Sequence, residues 1–421
     1  MKLLLRFWPL SIAAMGLGAC FWSQSSVPQV LILAGDSDGN LAPCGCTKPM
    51  IGGIKRRIQA AKELTVPGHT TLVDNGNMVA GTTRQDEIKA QTIAEILGAS
   101  GWDAINVGPA DARLGLGMLL SLNSLSNGKL ISSQMQSSPG VDLRQFTISP
   151  PFLIIGVAAN TDSIGKPLGQ PVQDAEVAIA QGLQQAKDGE LTPIMLLQGD
   201  HDDAVEFARK FPEIRLIEYR SIGSPPDKPE TVGQTALVSP GSEGKYLLRI
   251  DYSKGKFSNY SSISLGPQYK DEPNAARLYR GYLSRVSSEH LLEKLPRPDN
   301  FEFAGSQTCV ACHKAAGKVW SHSLHHEALA TLAGRGHDRD PDCLPCHVVG
   351  LTSSHGYRSL KLTPGLAGVG CESCHGPGLQ HSKTPKLVKL SKVSDNNCVS
   401  CHTTNTSPGF SFSAFWKKIR H

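Results

Sequence analysis

One five-residue pattern constrains this chain more than any other. Cys-x-x-Cys-His occurs four times, as CVACH (309–313), CLPCH (343–347), CESCH (371–375) and CVSCH (398–402). Two thiols separated by two residues reach the two vinyl groups of a haem and form thioethers, and the adjacent histidine then falls beneath the iron. Zinc knuckles use the same CxxC spacing but do not need a histidine after every second cysteine. Disulfides leave the histidines unexplained. The pattern therefore predicts four covalently bound c-type haems. Cys309, Cys312, Cys343, Cys346, Cys371, Cys374, Cys398 and Cys401 are the thioether cysteines, and His313, His347, His375 and His402 the proximal ligands. Residues 301–410 are rich in Gly, Ser, His and Lys and poor in large apolar side chains, so they lack a core of their own. The expectation is a small domain of short helices and loops whose buried surface is supplied by haem. From residue 300 to 421 there are 13 Lys and Arg against 7 Asp and Glu, a surplus of 6. Haem propionates are the expected counter-charges.

Other histidines in the same segment are candidates for the distal side of an iron: His325, His381, His326, His322, His337 and His355, with the terminal His421 also left over. The stretch VWSHSLHHEALATLA reads as a helix, which would place His322 on one face with His325 and with His326. His381 follows a Gly-Pro-Gly turn able to fold the chain back over a haem. A second ligand suits an iron to electron transfer, whereas an open position allows small-molecule chemistry.

The first residues carry Lys2 and Arg6, an apolar run, and Leu17-Gly18-Ala19-Cys20. This predicts a lipoprotein signal peptide over 1–19 and a lipidated Cys20; an ordinary signal peptide is the alternative. Either reading exports the chain, where thiols are crosslinked or carry cofactors. The expected location is the periplasmic side of a bacterial membrane, the outer one favoured. Cys44 and Cys46 form a separate PCGC, readable as a reducible pair, a metal-binding pair or a structural link. A formal charge of +5 on 421 residues gives no field of the kind nucleic acid requires.

Residues 28–265 have a different texture. VLILAG, TTLVDNG, WDAINVG, PFLIIGVAA, PIMLLQGD, IRLIEYR and TALVSPG are short apolar runs, most ending in Gly or Asp, and read as buried strands. GGIKRRIQAAKEL and TRQDEIKAQTIAEILGASG lie between them and read as helices. This is the alternation of an α/β layered domain. YLLRIDYSKGKFSNYSSISL reads as a hairpin. Residues 266–300 hold a helix and a Pro-rich junction.

Two resemblances follow. The order CxxCH, WxxSxHxxA (Trp320, Ser323, His325, Ala328), CLPCHVVG, GVGCESCHGPGLQH and a last CxxCH resembles the multihaem cytochrome c-554 family. That resemblance implies an electron carrier with closely packed, mostly bis-histidine haems. It implies axial roles for His325 and His381, and one family member has a five-coordinate haem. GDSDGNLAPCGC, LVDNGN, NVGPAD and TALVSPGSEGKYLLRIDY resemble the calcineurin-like metallophosphoesterases of the exported 5′-nucleotidase branch. That family holds two metals with Asp and His at strand ends. Here Asp36 matches, but Asp38, Asn77 and Pro109-Ala110 stand where further ligands belong, Asp111 is displaced, and Gly199 precedes a late His201. A non-catalytic phosphoesterase-like domain is expected. The whole then reads as an exported tetrahaem cytochrome passing electrons between redox partner proteins or quinol-linked membrane complexes. The alternatives are a haem enzyme acting on a small nitrogen or oxygen species, and a protein that binds a partner or ligand through its layered domain.

Overall fold

The computed structural model describes residues 27–43, 49–136, 140–404 and 406–421. The expected signal peptide with Cys20, and Cys44 with Cys46, lie outside the described residues. Twelve strands form two six-stranded sheets. In chain order they are β1 (Gln29–Ala34), β2 (Thr70–Asp74), β3 (Ala104–Asn106), β4 (Leu130–Ile131), β5 (Phe146–Ser149), β6 (Phe152–Ala158), β7 (Thr192–Gln198), β8 (Leu216–Tyr219), β9 (Glu230–Val232), β10 (Thr235–Val238), β11 (Tyr246–Ser253) and β12 (Lys256–Ser264).

The first sheet runs β12-β11-β1-β2-β3-β4 and the second β5-β6-β7-β8-β10-β9. β1 to β4 are parallel neighbours, as are β6, β7, β8 and β10; antiparallel strands flank them at β11–β12, β5 and β9, while β4 forms a parallel edge. Side chains alternate between the two faces of each strand. Leu31, Leu33 and Val73 of the first sheet therefore meet Phe152, Ile154, Ile194 and Leu196 of the second. Their neighbours Ile32 and Leu72 point outward to the helices Ile54–Leu64, Arg84–Ala99 and Pro273–Ser288. Leu153, Ile155, Met195 and Leu197 do the same toward Ala175–Asp188 and His201–Lys210. Helix, sheet, sheet and helix stack in four layers.

Each of the seven apolar runs is a strand, and the hairpin is β11–β12. β4, β5 and β9 carried no signal. β4 is two residues long, too short to show a period, and β9 (ETV) is an edge strand with exposed residues.

Beyond the helix Pro273–Ser288 the chain turns to short helices and loops. These include Ser306–Cys312, Lys314–Ser321, Ala328–Ala333, Cys371–His375, Leu379–Lys383, Asp395–Val399 and Phe412–Ile419. Their apolar core is small: Leu292, Leu329, Leu344, Val348, Val349, Leu351, Tyr357 and Leu366. The helix expected over VWSHSLHHEALATLA is broken. It stops at Ser321 and restarts at Ala328, so His322, His325 and His326 do not share a helical face. Tertiary hydrogen bonds win over helical continuity here. Trp320 Nε1 donates to Val369 O at 2.8 Å, and Val369 N donates to His325 O at 3.0 Å.

Buried polar contacts join the two parts. Asp340, just before the second motif, accepts from Gln85 Nε2 at 2.7 Å and from Tyr282 OH at 3.4 Å. Lys89 pairs with Asp342. Among the described residues no helix is long and apolar enough to cross a membrane.

Candidate haem sites and the mouth of the layered domain

The four motifs converge within one small body. The helices Ser306–Cys312 and Cys371–His375 bring Cys309 and Cys371 into hydrogen-bonding contact, and Cys346 and Cys401 meet likewise. One carboxylate fixes the first of these pairings. Glu372, only 4% exposed, accepts from the N–H groups of Ala304 (2.8 Å), Gly305 (2.8 Å) and Gly378 (2.7 Å). It thereby ties together the entry to the first motif, the third motif and the Gly-Pro-Gly turn before His381. Sequence reading missed Glu372, because a Glu inside CxxCH looks like a variable spacer.

Three of the CxxCH histidines each face a second imidazole. Ring centroids are 6.2 Å apart for His313 and His381, 6.2 Å for His402 and His325, and 5.8 Å for His375 and His421. Two imidazoles bonded at about 2 Å on opposite sides of one metal have centroids about 6 Å apart. The other ring nitrogen is turned away and held. Nδ1 donates to a backbone carbonyl in His381 (Val388 O, 2.7 Å), His375 (Ser391 O, 3.2 Å), His347 (Ala328 O, 2.6 Å) and His421 (Ile419 O, 3.1 Å). That is the outer hydrogen bond that orients ligating histidines and leaves Nε2 for the metal. Burial, with His402 nearby, pulls His325 below the ordinary imidazole range, and burial alone lowers His402. Both favour the neutral form that can ligate. The spacing thus fits a c-type haem between each pair, and in the His325–His402 pair the lowered basicity suits ligation as well.

His347 differs: its ring has no second imidazole opposite it among the described residues. The remaining distal candidates are engaged elsewhere. His337 donates from Nδ1 to Asp340 (3.2 Å) and accepts at Nε2 from Tyr279 OH (2.7 Å). His326 packs edge-on against Trp320 at 4.6 Å. Exposed His322 bonds Lys318 O at 2.8 Å, and exposed His355 sits 3.0 Å from Ser354 Oγ. His421 was left out of the distal set because a terminal histidine carries no surrounding motif.

At the mouth of the layered domain, Asp36, Asp38 and Asn77 keep left-handed backbone with φ of 45°, 48° and 50°. Such strain is characteristic of functional loops. Burial pushes the Asp36 carboxyl up to about 7, with Arg220 opposing, and burial also takes Asp111 to about 7 against three backbone N–H groups. Glu218, wholly buried, is pushed well above its ordinary range by burial and by the nearby Asp74 and Asp36. His201 lies at the rim, bonded to Glu230 at 2.7 Å.

Comparison with known proteins finds different relatives for the two parts. Residues 308–376 match the family described as cytochrome c554 and c-prime. Cytochrome c-554 of Nitrosomonas europaea is 36% identical over 134 residues, which is 24% of this chain and 57% of that protein. The match thus spans little more than half of that relative. A solved 5′-nucleotidase precursor of Thermus thermophilus superposes with a TM-score of 0.54 at 15% identity, covering 74% of this chain and 68% of the other. The sulfate thiohydrolase SoxB of Thermus thermophilus gives 0.52 at 14% identity, over 62% and 61%. The C-terminal part resembles the cytochrome c-554 family, and the layered part has the metallophosphoesterase fold.

Proposed function

We propose that this chain is an exported tetrahaem c-type cytochrome that carries electrons between redox partner proteins or quinol-linked membrane complexes. The observation that carries the reading is the set of three histidine pairs at 5.8 to 6.2 Å, each built on a different CxxCH motif. The eight motif cysteines would hold the haems by thioethers, with His313, His347, His375 and His402 as proximal ligands. When bound, haem supplies one-electron exchange at iron, at a potential set by its axial ligands and surroundings. The chain's own part is positional. His381, His325 and His421 complete three ligand pairs, the backbone carbonyls orient their rings, and Glu372 holds the first and third motifs together. On this reading the chain is lipid-anchored through Cys20 on the periplasmic side of the membrane, the outer one favoured. Cys44 and Cys46 would be an accessory redox or metal pair, tested by replacing both and following the rate of haem reduction.

A second reading, chemistry on a small nitrogen or oxygen species at an open iron, has its one foothold at His347. One experiment separates the two: haem counting by pyridine haemochrome, then optical and EPR spectra with CO added to the reduced protein. Four haems, all low-spin and inert to CO, support electron carriage alone. A CO-binding fraction abolished only when His347 is replaced moves the reading to the open iron. Fewer than four haems would sink the tetrahaem assignment. For the anchor, labelled palmitate should enter the wild-type chain and not Cys20→Ala.

A further inference from the structure

The metallophosphoesterase fold implies two metal ions at the mouth of the layered domain, and the side chains present do not fit them. A metal site needs several lone pairs converging from carboxylates and imidazoles. Here the carboxylates meet N–H groups instead. Asp36 Oδ1 accepts from Asn77 Nδ2 (3.1 Å), Gln198 Nε2 (3.3 Å) and Arg220 Nε (3.1 Å). Asp74 accepts from Arg57 Nη1 and from Gly76 N, each at 2.9 Å. Asp111 accepts from the backbone of Asn77 and Met78 at 2.8 Å and of Gly108 at 3.0 Å. Among the described residues, no three Asp, Glu, His or Cys side chains of this mouth bring ligand atoms within 4.8 Å of one another.

We propose that Arg57 and Arg220 are the resident cations of this mouth and take the electrostatic place of the metal pair. Arg57 rises from the helix Ile54–Leu64 into the interior and is 1% exposed. Its Nη1 binds Asp74, its Nη2 donates to Ser37 Oγ at 2.8 Å, and Asp36 and Glu218 lie within its field. Arginine is almost never this buried unless charges face it. The backbone is shaped to admit it: Gly244 has φ 58°, and a Cβ there would stand 2.1 Å from Arg57 Nη2. Arg220 closes the outer side, half-exposed, with Nε on Asp36 and Nη2 3.6 Å from Asp38. A guanidinium keeps its charge at every accessible pH and is covalently part of the chain. The strand ends are therefore faced by cations that never exchange; Asp36 Oδ2 and both Glu218 oxygens stay buried without a hydrogen-bond partner among the described residues, too few donors to hold a metal pair. The two arginines account for why Asp36 and Asp74 persist in the interior without a dissolved ion.

The test uses the full-length, haem-loaded protein. After equilibrium dialysis against Mn²⁺ it should retain none, and EDTA should leave its thermal unfolding unchanged. Arg220→Ala removes the partner of Asp36 and Asp38 from the rim and should then retain Mn²⁺, with a Tm that rises as Mn²⁺ is added. Arg57→Ala should lower the Tm by about 10 °C, because it leaves buried carboxylates uncompensated, and Arg57→Lys should lower it less. Stoichiometric Mn²⁺ on the unmodified protein, or a Tm that falls with EDTA, would overturn the proposal. So would an unchanged Tm in Arg57→Ala, or an Arg220→Ala protein that retains no Mn²⁺. Should Arg57→Ala fail to fold, the Mn²⁺ measurements on the other proteins decide.

Discussion

Single residues carry much of the haem region's order. Glu372 accepts three backbone N–H groups from two segments while 4% exposed. Glu372→Ala leaves those donors unsatisfied and should destabilise the haem region by about 3 kcal/mol or more, read as a shift in chemical unfolding followed in the Soret band; Glu372→Gln should lose less. The ligand pairs predict a different signature. His421→Ala should leave overall stability nearly unchanged yet turn one haem high-spin and CO-reactive. An unaltered EPR spectrum in that variant would remove His421 from the iron. His381→Ala and His325→Ala should behave likewise, each at its own haem.

At the scale of elements, local signals and tertiary ones part company. The helix Arg84–Ala99 announces itself in sequence: Thr83 caps it and Asp86 completes a capping box, with Thr83 N donating to Asp86 at 2.9 Å. Thr83→Ala should cost about 1 kcal/mol in denaturant unfolding. The seven apolar runs were legible for the same reason, since a strand buried on both faces needs no partner to reveal it. β4 and β9 were not, because two or three residues hold no period; β4 is placed by pairing with the distant β3, and β9 shows itself only as the exposed arm of a hairpin with β10. The four CxxCH motifs, with the histidine that each one offers as a ligand, are visible in spacing alone. His325 and His381 were named as distal candidates from the resemblance, but which histidine each faces was not legible, because His313 and His381 lie 68 residues apart and meet only through the fold. The broken helix after Ser321 shows the same limit: its sequence favours continuity, and contacts with Val369 override it.

For the whole molecule, the division into a self-sufficient layered part and a core-poor haem part sets how it unfolds. Chain made without haem attachment should keep its two sheets and lose the region after residue 300 first, seen as early proteolysis there with β-type circular dichroism retained. Stability should also depend on pH in an unusual direction. Asp36 and Asp111 bind protons more tightly folded, at about 7, than in the unfolded chain at 3.8. Between about pH 4 and 7 the folded state therefore holds more protons, and their contribution to stability falls as pH rises through that window. Thermal unfolding of the layered domain at pH 5 and pH 8 should show the higher Tm at pH 5, and Asp36→Asn should narrow the gap. In the haem region, the carbonyls that hold His381 and His375 belong to Val388 and Ser391, three residues apart on one exposed strap between the third and fourth motifs. These rings face two different partners, His313 and His421. On the proposed ligation, whatever tugs on that strap, a bound partner or a nick, would alter the basicity of ligands on two irons together, and their potentials would drift as a pair.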